Sequence, residues 1–549
     1  MKQKSWLIKR QFVKILNMKA LKLKEWPHRA TIGRCSAILL IAAGFQTLSL
    51  PPLQAATPPK EITDSGITSV VEDGLTHEKG VVPNDVDVST SQGIVTLSGS
   101  VDNLLAKKRA VKIAEGIRGV LGVIDRTTVT PVSRPDGDIR KDIQAALLQD
   151  PATESNQVTV AVQDAFATLT GSVGSYAEKQ LTARIAEGVK GVKEVGNNVT
   201  INYLATRTDA EIAADVKARF QWDIWINGAQ INPVLKDGKV TLTGTIGSAI
   251  SEDRAVDDAW VNGVTSVDYS GLKIDPQAHS VAHQEFTDAT RSDSEIKLAV
   301  QASLHLDPRV KAFSPDVTVE GGVVILGGNV GNLKAKTSAE QDAINIAGVE
   351  GVDNYLKVRP NGRPTDAQME NELKAALFWD PLVDSSTITV AVINRVAYLS
   401  GGVDSSFQKT EAQDVASRTK GVLVIRNHLK VEPYSISDYD WPYYSDYGWP
   451  YYYYYDWPYY NQPPYYGYEM SGPQPELSDV QIKKQIEDRF FWSPFVDRAD
   501  IKVTVNGAVA TLTGTVGTWI GWNEADKDAH KSGATAVLNQ IKVKKGHWL

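Results

Sequence analysis

One cysteine stands among 549 residues, and that scarcity removes several protein classes at once. No internal disulfide is open to the chain, so it is not a cystine-stapled scaffold. Cysteine-ligated zinc and iron–sulfur centres are excluded on the same count. Net positive charge is lacking too: 58 Lys and Arg face 65 Asp and Glu, a net charge of -7. That balance argues against general nucleic-acid binding. Long apolar runs are missing. The strongest, Ala37 to Phe45 with a weak extension to Leu50, falls short of a bilayer span. Gly-x-Ser-x-Gly, His-Glu-x-x-His and P-loop motifs are absent, and no acids fall into a shared arrangement suited to paired-carboxylate chemistry. What remains is a chain with 22% charged and 42% hydrophobic residues, a composition that folds. Its length corresponds to three to five average domains, or more small ones.

The charge is unevenly placed. Residues 1–34 carry ten basic side chains against one acid, Glu25, and the apolar run follows, then Pro51, Pro52, Ala55 and Ala56. That order reads as a Sec-type signal peptide over 1–55, with Met18 as an alternative start and a retained N-terminal anchor as the alternative fate. Cys35 precedes the apolar run, whereas a lipidated cysteine would follow it. Removing the segment takes away ten cations and one anion, leaving an exported chain of net charge about -16.

The rest of the chain repeats itself. A hydrophobic step closing on glycine recurs six times, at Gly99, Gly171, Gly244, Gly328, Gly401 and Gly514. A second glycine follows each by 20 or 19 residues: Gly119, Gly191, Gly263, Gly348, Gly421 and Gly533. Each unit opens with a helix. Thr208 with Glu211, Ser292 with Glu295, Thr365 with Gln368, and Ser478 with Gln481 have the spacing of capping boxes. Ile139, Ile143 and Leu147 form one apolar stripe, as do Ile212, Val216 and Phe220. An alternating strand pair follows, with turns expected at Gln163-Asp164, Asp237-Gly238, Glu320-Gly321-Gly322 and Asn506-Gly507. A second helix, about 104–117 in the first unit, leads through the second glycine into a last strand. The fold class is therefore α+β: tandem αββαβ two-layer modules, two helices on a three-stranded mixed sheet. The first unit is the least regular, with Gly66 and Gly74 inside its opening helix. Gly328-Asn329-Val330-Gly331 reads as a turn.

This pattern resembles the BON domain, the bacterial OsmY and nodulation domain, in six copies: 61–131, 134–204, 207–275, 291–359, 364–432 and 475–545. The twelve glycines carry the likeness; the last copy departs in having Ala534 where the others have Val. The resemblance implies a non-enzymatic protein of the bacterial envelope or periplasm, with phospholipid binding and a link to osmotic-shock protection. No cofactor and no metal are expected.

Two stretches lie outside the units. Residues 276–290 form a polar linker holding His279 and His283, at a spacing that is helix-compatible but without a firm third ligand. Residues 433–474 hold fifteen of the 20 tyrosines and three Trp-Pro-Tyr-Tyr segments. The prolines bar regular structure, so this insert is a stiff low-complexity spacer or an aromatic contact segment.

For lipid or partner contact the candidates are Lys107, Lys108, Arg109 and Lys112 on one helix, where cations meet anionic headgroups at about 1 kcal/mol each. Trp519 and Trp522, at the entry to the last unit's second helix, are placed to act as a wedge. Trp222, Trp225, Phe378, Trp379, Phe491 and Trp492, near the ends of first helices, are core or contact residues. Two functions stand: modules that bind phospholipid or envelope components, or a spacer and protein-interaction array using the insert.

Overall fold

The computed structural model describes residues 61–77, 86–153, 157–203, 205–226, 230–276, 291–360, 362–431, 477–496 and 500–543. The signal-peptide segment, His279, His283 and the aromatic insert lie outside the described residues.

Each repeat folds as helix, hairpin, helix, strand. Module 2 shows the plan: a helix Asp136–Gln149, strands Gln157–Gln163 and Phe166–Val173, a helix Tyr176–Glu187 and a strand Glu194–Ile201. The middle strand pairs antiparallel with the first and parallel with the last, giving a three-stranded mixed sheet. All six modules share this strand order. Module 4 varies it. Its middle strand breaks at Gly328, and Asn329–Val330, read from sequence as a turn, instead pairs with Lys357–Val358.

Local rules account for the elements. The four capping boxes are present, each with the cap hydroxyl accepting from the N3 amide and the N3 side chain answering the cap amide. Ile139, Ile143 and Leu147 are buried, as are Ile212, Val216 and Phe220, so each stripe faces its own sheet. The hairpin turns have two residues at positive φ, as twisted two-residue hairpins require. In modules 2 and 6 these are Asp164-Ala165 and Gly507-Ala508, one residue later than sequence reading places them. Gly66 and Gly74 sit inside a regular helix, Asp64–His77, and each marks a close approach. A Cβ on Gly74 would lie 2.8 Å from Ile113 of the second helix, and one on Gly66 2.9 Å from Trp492 of module 6.

One carboxylate per module clips the helix to the hairpin. Asp64, Asp136, Asp209, Asp293, Asp366 and Asp479 each begin a first helix. Each accepts from the backbone N–H groups of both turn residues, at 2.7 to 3.0 Å. The acid also sits at the favourable end of the helix dipole. Asp366→Ala removes both acceptors from the Asn394-Arg395 turn. It is expected to destabilise module 5 by about 2 kcal/mol, against about half that for Asp366→Asn, as read from denaturation midpoints.

Candidate functional site

The modules meet one another, and their junctions gather most of the residues that the sequence offered for binding. Residues 61–549 form one unit. Module 1's second helix, Leu104–Glu115, lies among neighbours. Lys107 pairs with Asp125 of its own last strand at 3.3 Å. Lys108 Nζ donates to both Glu187 oxygens of module 2, at 2.8 and 2.7 Å. Arg109 is 4% exposed, with its guanidinium 4.7 Å from the ring centre of Phe407 in module 5. Lys112 pairs with Glu115 and with Asp253 of module 3. Three of these four cations thus face other modules.

Several of the aromatic candidates also reach other modules. Trp519 Nε1 donates to the Val349 carbonyl of module 4 at 3.1 Å. Trp522 stays in its own module, donating to the Ile541 carbonyl at 3.1 Å, and its ring meets Trp519 edge-on. Trp225 donates to Asn345 of module 4 at 3.2 Å and packs edge-on against Phe495 of module 6. Phe378 is 62% exposed, with Arg134 of module 2 at 6.0 Å from its ring centre.

Tyr176 of module 2 stacks flat on Trp260 of module 3, and its hydroxyl, half-buried and near Asp257, is pushed up to about 12. Arg489 of module 6 pairs with Asp73 of module 1 at 2.9 Å.

Two junctions bury clusters of charge. Module 3 carries one at its junction with module 4: its Arg254 binds its own Asp223, its Arg219 binds its own Asp258, and both arginines lie within electrostatic reach of Asp342 in module 4. Burial and then the neighbouring Asp258 push Asp223 up to about 7, against the pull of Arg254. Burial also opposes ionisation of Asp258, but Arg219 and Arg254 outweigh it and hold that carboxyl below its ordinary range. Asp342 of module 4 is pushed well up by burial and by Asp307 beside it. Between modules 4 and 5, Lys334 pairs with Asp414 at 2.5 Å, and Arg418 pairs with Asp414 and Glu411. Burial, aided by Asp380 and Asp414, raises Glu411 to about 8.

These groups tie elements together; they do not converge on a reacting atom. Among the described residues no group of three or more His, Cys, Asp or Glu could hold a metal ion, and no helix is long and apolar enough to cross a membrane. Two features escaped sequence reading. The clip aspartate always lies 35 residues before the first anchor glycine, from Asp64 and Gly99 to Asp479 and Gly514, a constancy that could have found it. The buried Arg219, Arg254 and Asp223 had no such signal.

The geometry defines the class: a tandem array of αββαβ modules joined into one body through helix ends and buried ion pairs. Residues 63–131, 135–203, 208–276, 292–360, 365–433 and 478–545 match the BON domain, about three quarters of the chain, and the protein belongs to the BON domain family. Over 145 residues it is 34% identical to osmotically-inducible protein Y of Escherichia coli (strain K12), covering 25% of this chain and 71% of that protein. Over 151 residues it is 30% identical to the outer membrane lipoprotein DolP of Haemophilus influenzae, covering 26% of this chain and 78% of that one. A solved structure of CdsD, a structural protein of the type III secretion system of Chlamydia trachomatis, matches at 15% identity. It covers 40% of this chain and 96% of that one with a TM-score of 0.11, too low to support a comparison.

Proposed function

We propose that the chain is a non-enzymatic protein of the bacterial envelope, exported to the periplasm by the signal segment over 1–55. Its six BON modules work there as one array that binds phospholipid or other envelope components in protection against osmotic stress. The observation that carries this reading is the likeness to osmotically-inducible protein Y and to an outer membrane lipoprotein, each matched over more than two thirds of its length. The repeated features agree with it, since glycines, caps and clips specify a fold and supply no chemistry.

The second reading, a spacer or protein-interaction array using residues 433–474, draws support from the junctions. Lys108, Arg109 and Lys112 are engaged by modules 2, 5 and 3, so their role is to hold module 1 in place. Contact with lipid through that helix requires module 1 to leave its neighbours. Sedimentation of the exported chain with anionic and zwitterionic vesicles separates the two readings. Binding to vesicles supports the first. No binding, with partners that co-purify and are lost on deleting residues 433–474, supports the second.

The combined substitution Lys107→Gln, Lys108→Gln, Arg109→Gln and Lys112→Gln is expected to lower the melting temperature and expose module 1 to hydrogen exchange. The buried Arg109 dominates, at about 2 kcal/mol, while the half-exposed Lys108 adds little. Lost vesicle binding at an unchanged melting temperature would place the lipid contact on that helix after all.

A further inference from the structure

Three of the six first helices end on tryptophan: Trp222 in module 3, Trp379 in module 5 and Trp492 in module 6. The same position holds His77, Gln149 and Leu306 in modules 1, 2 and 4. The carbonyl of each tryptophan accepts a hydrogen bond from another module. Arg118 N–H donates to Trp492 at 2.8 Å, Lys190 N–H to Trp379 at 2.6 Å, and Ala347 N–H to Trp222 at 2.8 Å. In every case the donor is the residue just before the second anchor glycine. The three joints are thus the same joint, linking module 6 to 1, 5 to 2 and 3 to 4. Each joins a module with the tryptophan to one without it.

The chemistry explains the choice of atoms. The last carbonyls of a helix have no partner within it, and the tight turn after a second helix presents an outward N–H. Joining them satisfies both. The ring does the larger share of the work. Trp492, 6% exposed, belongs to the apolar core of module 1, while the core of its own module is built on Phe490. Trp379 belongs to the core of module 2 and is absent from that of module 5. Trp222 packs on the core of module 4, and Arg291 of that module lies 4.1 Å from its ring centre. A tryptophan offers a large area to bury at this position, which Gln149, Leu306 or His77 cannot match. Module 1 makes room for it: Gly66 is where the Trp492 ring passes.

We propose that this residue is the pairing determinant of the array. A tryptophan closing the first helix makes a module the inserting partner, and the loop before the second anchor glycine of a module lacking it is the surface that receives it. The partner this surface fits is therefore a BON module whose first helix ends in Trp followed by Asp or Ser.

Hydrogen exchange by mass spectrometry on the full chain tests this, comparing Trp379→Gln, Trp379→Phe and the parent protein. Trp379→Gln gives module 5 the residue found in module 2. Exchange in the peptide spanning Lys190 is expected to rise about 10-fold or more, with the peptides spanning Arg118 and Ala347 unchanged. Trp379→Phe should keep most of the protection. Strands Ile388–Ile393 and Val396–Val403 should stay protected in both variants, since the ring is not part of module 5's own core. Unchanged exchange at Lys190 in Trp379→Gln would overturn the proposal. So would loss of protection throughout module 5, which would make the tryptophan an ordinary core residue of its own module.

Discussion

Gly244→Ala is expected to unfold module 3. The residue has φ of +127°, a conformation that L side chains rarely adopt, and the close approach is worse than the dihedral. A Cβ there would stand 1.9 Å from the carbonyl oxygen of Gln230, which leads into the strand paired beside it. That oxygen is backbone, so relief requires the hairpin itself to move. A loss of more than about 4 kcal/mol follows, in the range reserved for a named structural failure. Two other substitutions calibrate it. Gly328 has φ of +103° but a nearest atom 3.7 Å away, so Gly328→Ala carries strain without collision and should cost about 1–2 kcal/mol. Gly137, in the first turn of a helix with nothing within 4 Å, should gain about 0.5–1 kcal/mol on becoming alanine. Chemical denaturation should rank the three in that order. Parent-like stability of Gly244→Ala would show that the hairpin register is wrong.

Raising the pH from 5.5 to 8 is expected to loosen the junction between modules 3 and 4. Asp223 rises to about 7 and Asp342 well above its ordinary value, both chiefly through burial. The groups facing them are Arg219, Arg254, Asp258 and Asp307. The folded state therefore binds more protons than the unfolded chain, whose aspartates titrate near 4. Stability from Asp223 is full below about pH 4 and is lost as pH climbs through 7, and the raised carboxyl of Asp342 adds a loss of the same sign. Glu115 and Asp257, where modules 1 and 3 meet, and Asp528 inside module 6, each raised to about 7, pull in the same direction. Asp258 and Asp414, held low by their arginines, work the other way, and their contribution is lost only as pH falls below about 4. Maximum stability should lie in the mildly acidic range, with a loss on the order of a few kcal/mol by pH 8. Asp342→Asn replaces a group that must ionise with one that cannot. It should raise the melting temperature at pH 8 and flatten the profile between 5.5 and 8. A profile as steep as the parent's would remove Asp342 from the account.

The module fold was legible because it rests on short-range rules. Thr208 with Glu211 caps a helix wherever it occurs, and Gly244 announces a backbone that no other residue follows. The clip aspartates are equally regular, but a single carboxylate serving two backbone amides matches no catalytic-pair or metal-ligand template. The junctions were hidden for a different reason. Lys108, Arg109 and Lys112 look like a solvated basic face, because the acids and the ring that meet them lie in three other modules. The second helix of module 4, Leu333–Ile344, buries Lys334, Ser338, Glu340, Gln341 and Asp342, a composition that reads as a surface. Trp379 and Trp492 read correctly as core or contact residues. The core they enter belongs to another copy of the same fold, and a periodic pattern carries no record of which copy that is.

The nesting of the joints, with 3·4 innermost, 2·5 around it and 1·6 outermost, also sets a timetable. A chain synthesised from its N-terminus releases modules 1 and 2 while their receiving loops are still vacant. Module 4 is the first to meet an inserting helix already waiting, so the innermost joint can close at once. Module 2 then waits for module 5, and module 1 waits until the last module has emerged. These three joints can therefore close only from the middle of the chain outward, and the one that involves the earliest-made module closes last.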